Sequence, residues 1–473
     1  MVRTKLVAVL LGPSGIGLVG LYQSVTAMVG TLSGLGIASS GVRGVAEAYA
    51  AGNQEQIAIT VCVLRRACWV TGFLGWLLTA AFSYPLSVWT FGSSSRAGVL
   101  ALLGMTLLLA AINGGQSALL QGTRRITDLA KISVLSTLSG TLISVGIYAW
   151  LGEQGIVPVL MVSALVNITF SWWYARKIEL PTICLSWSAA YAHSKGLVSL
   201  GLAFMWSGFL TTAAALAMRG FIIRDFGIEA NGIYQASWGI SGLFAGFILG
   251  AMGTDFFPRL TGVADDNRQV NQLVNEQIEI GLLLALPGIL ATLAFAPWVM
   301  RLFYSAEFLA GAELLPWFIL GVFGRVTSWP LGFLLLAKGA SRWYAATETF
   351  FVALHLVLSI LLLRTFGLIG IALAFAILYA AYNIGMVFVA AKLTGFRWSM
   401  GVIKLVVTSV ILVGLGFCSS LTLPFGWAEG IGLLLTLTAT IYSLRGMSTR
   451  LGSGHRIVQL ALRLPGGRLI CGI

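Results

Sequence analysis

The chain has 473 residues, of which 58% are hydrophobic and only 10% charged, with a mean hydropathy of +0.92. A soluble domain carries roughly 25% charged residues, so no large soluble domain fits between the apolar runs. The formal net charge of +13 is spread over many short segments and not gathered on one face, which argues against nucleic-acid binding and fits the basic loops of a membrane protein.

Runs of about 20 apolar residues, the length that crosses a bilayer as a helix, predict thirteen complete spans. They fall near 21–42, 67–91, 97–121, 130–151, 155–175, 197–222, 232–254, 280–303, 314–337, 344–364, 367–391, 401–422 and 427–444, after a stub at 1–11 too short to cross. The runs are too long and too apolar for barrel strands, so the expected class is an all-α polytopic membrane protein. Many tryptophans (Trp89, Trp150, Trp298, Trp343, Trp398, Trp427) lie at run ends, where indole prefers the interface.

Charge orients these spans. The segments 43–66, 122–131, 176–196, 255–279, 338–343, 392–404 and 445–473 hold 21 of the 29 Lys and Arg, which puts them, and the C-terminus, in the cytoplasm. The tail carries Arg445, Arg450, Arg456, Arg463 and Arg468, with Ile457, Leu460, Ala461 and Leu464 at helical spacing. It reads equally as an amphipathic helix on the anionic leaflet or as a solubilising tail.

Two spacings recur. Leu11-Gly12 with Gly17-Leu18 is matched by Phe226-Gly227 with Gly232-Ile233, and Leu151-Gly152 with Gly155-Ile156 by Phe366-Gly367 with Gly370-Ile371; both offsets are 215 residues. In so apolar a chain, a repeat points to a transporter of two similar bundles. The predicted plan is a bundle over 1–176, a cytoplasmic linker over 177–196, a second bundle over 197–392, two additional helices over 393–444, and a basic tail over 445–473. The repeat and the charge pattern both require a crossing before residue 15. The expectation is therefore a first helix cut short by a late reading-frame start; a natural half-helix is the alternative.

No nucleotide, metal or other cofactor is expected. Gly15-Ile-Gly17-Leu-Val-Gly20 matches GxGxxG but follows no strand, there is no GxxxxGK[ST], and the three histidines are scattered. The five cysteines form no CxxC and read as small buried hydrophobes.

Lys5-Leu-Val-Ala-Val-Leu-Leu-Gly12-Pro-Ser-Gly15-Ile-Gly17 resembles the end of the first helix and the following turn of Wzx-type polysaccharide flippases, in the multidrug/oligosaccharidyl-lipid/polysaccharide exporter superfamily. Arg219…Phe226-Gly227-Ile-Glu-Ala-Asn-Gly232-Ile-Tyr234-Gln235, Phe257-Pro258-Arg259-Leu260 and Leu336-Ala-Lys338-Gly-Ala-Ser-Arg342-Trp-Tyr344 are similar too. Together they cover most of residues 1–392, and the common-antigen and O-antigen branch is the most similar. The short first helix and the spans near 401–444 depart from that branch's twelve-helix pattern. The resemblance implies a non-enzymatic flippase of the bacterial inner membrane. It would move an undecaprenyl-pyrophosphate-linked oligosaccharide from the cytoplasmic to the periplasmic leaflet by rocking two bundles about a central cavity. A polysaccharide polymerase and a chain-length regulator are partners it implies.

A cation at membrane depth is costly unless it faces a cavity or a partner, so the deep cations are the candidate cargo contacts. Arg325 is mid-span, and the resembling flippases carry a cation there; it either neutralises pyrophosphate or pairs within its bundle. Lys5 and Arg3 lie in the remnant of the first helix, facing the cavity or the interface. Arg219 falls one residue from Lys5 in the repeat and is either a matching cavity cation or an interfacial one. Glu348 and His355, seven residues apart, share a helix face; they read as a proton-coupling pair or as hydrogen-bonded bundle residues. Asn113, Gln116, Asn167 and Asn383 are predicted buried amides, either interhelical glue or sugar contacts. The rival functions are a multidrug/cation antiporter, a lipid II flippase, and a membrane-embedded polymerase or ligase. The short external loops leave the last little room for a site.

Overall fold

The computed structural model describes residues 2–181, 183, 185–424 and 426–451. Among them every regular element is helical. The chain packs into two compact units, Met1–Gly232 and Ile233–Ile473.

In the first unit, α1 (Val2–Gly34) is two helical segments joined at Gly12 (φ 62°, ψ −169°). It is followed by α2 (Ile37–Ala50), α3 (Gln54–Ala81), α4 (Ser83–Phe91), α5 (Ala97–Gly122), α6 (Ile126–Leu151) and, after a single 3-10 turn, α7 (Ile156–Ala175). A long helix, α8 (Trp187–Gly262), is broken at Gly227 (φ 88°, ψ 175°). The second unit continues with α9 (Asn267–Ala294), α10 (Ala296–Phe303), α11 (Gly311–Ala337), α12 (Ser341–Phe366), α13 (Leu368–Thr394), α14 (Met400–Thr422) and α15 (Trp427–Leu451). Ten described segments are long and apolar enough to cross a membrane; one of them, Ile126–Ala175, holds both α6 and α7. Large apolar side chains such as Trp150, Leu142, Ile384 and Phe388 lie on the outer surface, where only lipid can solvate them.

The repeat is written in the backbone. Gly12 and Gly227 share a conformation open only to glycine, and Gly152 (φ 55°, ψ −133°) matches Gly367 (φ 63°, ψ −149°). The α5–α6 and α11–α12 turns also agree at the 215-residue offset: Arg124 (φ 57°) stands where the second half has Gly339 (φ 64°). Arg125 N–H donates to Leu120 O as Ala340 N–H does to Leu335 O, both at 2.9 Å. Helices α3 and α9 are each 28 residues long and begin on the same cap: the Asn53 side chain accepts from Gln56 N–H, and that of Asp266 from Gln269 N–H. Here the offset is 213. The two-residue difference falls where Leu35 (φ 49°) and Gly36 (φ 64°) interrupt the helix after α1; the second half runs through as α8.

The second glycine of each Gly-x4-Gly pattern sits at a helix crossing. A Cβ on Gly17 would strike the Ile228 carbonyl oxygen, and one on Gly232 the Pro13 carbonyl oxygen. Pro13 and Ile228 are themselves 215 residues apart, so the contact is symmetric. The fully buried Asn231 donates from Nδ2 to Gly17 O at 2.8 Å and ties the crossing.

Three expectations need correction. The first complete span is not 21–42: its helix starts at Pro13, where proline is well placed as a first helical residue, and ends at Gly34. Segment 43–66 is not a loop but the end of α2 and the first half of α3. Arg65 and Arg66, which lowered its hydropathy, are helical residues. Likewise α9 begins at Asn267 and not near 280.

Within the second unit α9 packs on α11, α14 and α15, and α11 on α13. The core combines Val274, Ile278 and Leu282 of α9 with Leu331, Leu334 and Leu335 of α11 and Met386 and Ala390 of α13. The two additional helices are docked, with Gly416, Gly432 and Gly446 facing Leu290, Ala294 and Leu283 of α9. Their lead-in is tied to α9 by amides. Asn271 Nδ2 donates to Thr394 O at 3.0 Å, Asn275 Nδ2 to Arg397 O at 3.1 Å, and Ser399 N–H to Asn275 Oδ1 at 2.8 Å. At the far end Trp298 Nε1 donates to Glu429 Oε1 at 2.6 Å. The equivalent face of α3 is bare: Trp69, Val70, Phe73 and Leu77 are 49–56% exposed, whereas their counterparts Leu282, Leu283, Leu286 and Leu290 are 3% or less.

Candidate functional site

Arg219, on the segment of α8 before Gly227, is only 6% exposed. It lines a cavity of about 220 Å³ with Thr212 and Ala215 of its own helix and Gly20, Gln23, Ser24 and Ala27 of α1. Small residues on both helices leave this space open. The Ser24 and Thr212 hydroxyls donate to Gly20 O and Gly208 O at 3.0 and 2.9 Å within their own helices. The Gln23 amide and the Arg219 guanidinium are the other polar groups of the wall. Lys5 is half-buried in the short first segment of α1 and is not part of this lining. The Arg3 side chain lies outside the described residues.

Arg325 is half-buried on α11 in the second unit. On one side of it Gly321 and Gly324 let α11 approach α13 against Phe375 and Tyr379. Asn383 fixes that approach: Nδ2 donates to Gly324 O and Tyr379 O, each at 2.7 Å, and Oδ1 accepts from Thr327 Oγ1 at 2.8 Å. Asn383 is thus interhelical glue. Glu348 of α12 and Tyr379 lie within the electrostatic reach of Arg325. Glu348 and Arg325 are not within ion-pair distance among the described residues. Instead Glu348 Oε1 accepts from Tyr382 OH at 3.4 Å. His355, two turns further along α12, packs its ring 5.9 Å from that of Phe375. The structure therefore brings Arg325, Glu348, Tyr379 and Tyr382 together and leaves His355 in an aromatic layer beside them.

The remaining amides divide. Asn167 is exposed, not buried, and donates to Ser163 O of its own helix at 2.9 Å. Gln116 accepts from Arg65 Nη2 at 3.3 Å across α3 and α5. In the sequence Arg65 reads as a loop charge, which hides this contact. Arg66 is also engaged, donating to Leu185 O at 2.8 Å with its guanidinium 4.7 Å over the Trp187 ring.

Comparison with known proteins agrees with this architecture. The chain is 25% identical over 391 residues to the lipid III flippase of Escherichia coli (strain K12), covering 80% of this chain and 90% of that one; the Shigella flexneri protein of the same name matches equally. Among solved structures it resembles an inward-facing multidrug resistance MATE family transporter of the MOP superfamily (TM-score 0.66, 16% identity, 86% of this chain and 94% of the other). It also resembles the lipid II flippase MurJ in an inward closed conformation (TM-score 0.65, 15% identity, 92% and 97%). At that identity the likeness is one of fold: two-lobed, all-helical and polytopic in the membrane. The family model described as polysaccharide biosynthesis protein matches residues 6–313, and the chain belongs to that family.

Proposed function

We propose that the chain is a flippase for a lipid-linked oligosaccharide in the bacterial inner membrane. Its cargo is an undecaprenyl-pyrophosphate-linked repeat unit of an O-antigen, a common antigen or an exopolysaccharide, moved from the cytoplasmic to the periplasmic leaflet by alternating access. The observation that carries this reading is the buried Arg219 guanidinium in a cavity between apolar helices. A cavity wall that includes a guanidinium complements the negative charge of a pyrophosphate. Arg325, with no ion pair to Glu348, is the second cargo cation, and Lys5 and Arg3 are weaker ones. The lipid III flippase relative supports a lipid-linked cargo.

Glu348 and His355 are the proposed sites of proton exchange, and their separate surroundings let each be tested alone. The division into bundles at 1–176 and 197–392 with a linker at 177–196, and the added helices at 393–444, belongs to the same proposal. So do the cytoplasmic C-terminus, a polymerase and a chain-length regulator as partners. Residues 452–473 of the basic tail lie outside the described residues.

The test is genetic complementation. In a deletion strain, Arg219→Ala and Arg325→Ala should each abolish surface glycan at matched expression, with undecaprenyl-linked intermediate accumulating on the cytoplasmic leaflet. Arg325→Lys should retain more function if charge alone is needed. Normal glycan display in both alanine variants would reject the reading. An intermediate that reaches the periplasmic face but stays unpolymerised would favour the polymerase or ligase alternative.

A further inference from the structure

A second cavity, of about 320 Å³, lies at one end of the first unit, away from Arg219. Four elements form it: Tyr49 from the last turn of α2, Gln54 and Ile57 from the start of α3, Thr123 and Arg125 from the α5–α6 turn, and Lys177 to Leu180 after α7. Its base is apolar and fixed. Ile178 and Leu180 pack against Val45, Ala48, Ile57, Val61, Leu119 and Ala175. Its rim is polar: two cations, Arg125 and Lys177, and one carboxylate, Glu179, line it, and the Asp128 carboxylate stands beside Arg125.

Neither cation is fully spent. Arg125 reaches Asp128 at 3.7 Å with 40% of its side chain still exposed, and Lys177 rests 4.4 Å over the Tyr174 ring. The amino-terminal ends of α3 and α6 also meet here, because Gln54 opens one and Arg125 precedes the other. The α3 end is capped by the Asn53 side chain while the α6 end has no side-chain cap, so it is chiefly the α6 dipole that adds positive potential to the rim.

A separate observation sets the depth. Immediately beside the cavity, Trp172 and Trp173 are half-exposed with the Arg176 guanidinium 5.1 and 5.3 Å over their rings. Exposed tryptophan paired with arginine marks the head-group level of a bilayer, and this end of the unit is rich in Lys and Arg, the side that faces anionic lipid.

We propose that this cavity binds the phosphate of a membrane lipid. Arg125 and Lys177 contact the phosphate oxygens, while Tyr49, Gln54 and Glu179 take the hydroxyls of a glycerol or sugar attached to it. The lipid is either a resident anionic phospholipid or the pyrophosphate carrier of the cargo. The phosphate site does not depend on the proposed flippase activity; its assignment to the carrier rests on that reading.

Native mass spectrometry of the purified full-length protein tests it, with dioleoylphosphatidylglycerol, dioleoylphosphatidylcholine and undecaprenyl pyrophosphate as probes. Wild type should retain phosphatidylglycerol over phosphatidylcholine. Arg125→Gln with Lys177→Gln should lower that retention about fivefold or more. Arg125→Lys with Lys177→Arg should restore it. Arg43→Gln, an exposed cation outside the cavity that pairs with Glu47, should leave it unchanged. Displacement of phosphatidylglycerol by undecaprenyl pyrophosphate in wild type supports the site and assigns it to the carrier; no displacement supports it as a resident-lipid site. Equal retention by wild type and a monodisperse double-Gln variant, or loss in the charge-conserving variant as well, overturns the proposal.

Discussion

Gly232→Ala tests the helix crossing directly. The added Cβ would overlap Pro13 O and also meet Pro13 C and Cα. All three are backbone atoms, so no side chain can swing aside and the two helices must separate. Overpacking of this kind costs about 1–3 kcal/mol. Separation also stretches the Asn231–Gly17 hydrogen bond, worth roughly 0.6–2 kcal/mol inside a membrane protein. Alanine returns about 0.5–1 kcal/mol of helix propensity, leaving a net loss of about 1–4 kcal/mol. The first unit spans Met1–Gly232, and in a domain of that size each kcal/mol moves the melting midpoint by about 2–4 °C. The midpoint of the purified protein should therefore fall by roughly 3 °C or more. Gly242→Ala on the same helix is the control, because nothing lies within 4 Å of its Cβ position; it should leave the midpoint unchanged or slightly raised. Gly17→Ala should behave like Gly232→Ala, and the double variant should cost less than the sum, since one separation accommodates both methyl groups. A Gly232→Ala midpoint at or above wild type, tracking Gly242→Ala, would refute the reasoning.

Arg124→Gly should stabilise by about 0.5–1 kcal/mol, because a left-handed non-glycine residue costs roughly 1–2 kcal/mol and glycine gives back part of that as chain entropy. Gly339→Ala should destabilise, and melting midpoints moving in the reverse directions would sink the equivalence of the two turns. Asn275→Ala removes partners from Arg397 O and Ser399 N–H, a loss of about 1–3 kcal/mol; limited trypsin digestion should then cut after Arg397 faster, and an unchanged rate would deny the tie. Backbone N–H groups of Gln269 and Arg268, with the Gln269 side chain, hold the Asp266 carboxyl below its usual range. A depressed carboxylate stabilises above its unfolded value near 3.9 and loses that effect as pH falls through the folded value. Any advantage of wild type over Asp266→Ala in melting midpoint should thus be present at pH 6 and shrink progressively as pH is lowered below about 4. A pH-independent gap would remove the charge from the argument.

What the sequence discloses and what it hides follow from physical specificity. Gly12, Gly227, Gly152 and Gly367 occupy conformations that other residues enter only under strain, so the chain must spell them as glycine and the repeat can be read from spacing. The Arg124–Gly339 equivalence is invisible because arginine tolerates that turn at some cost. Arg325 stands out as a lone cation in an apolar run. Its neighbours Glu348, Tyr379 and Tyr382 come from two other helices, and no local pattern announces them. Arg65 and Arg66 misled for the opposite reason: hydropathy scores a charge as a loop, while a long side chain can remain helical and find Gln116 or a carbonyl across the helix face. The Arg219 cavity needs small residues on two segments nearly 200 residues apart, a condition that only the folded chain meets.

The unequal cover on α3 and α9 means that the two halves of the repeat carry different mutational freedom. At Trp69, Val70, Phe73 and Leu77 the requirement is solubility in lipid, which almost any apolar side chain satisfies. At Leu282, Leu283, Leu286 and Leu290 it is shape, because a close-packed site loses about 2–5 kcal/mol when leucine becomes alanine. Random substitution should therefore erode the resemblance between these two helices from the α3 side. On this argument α9 should keep more of the pair's original side chains than α3, and the internal symmetry should survive longer in the glycine turns than in the helices they join.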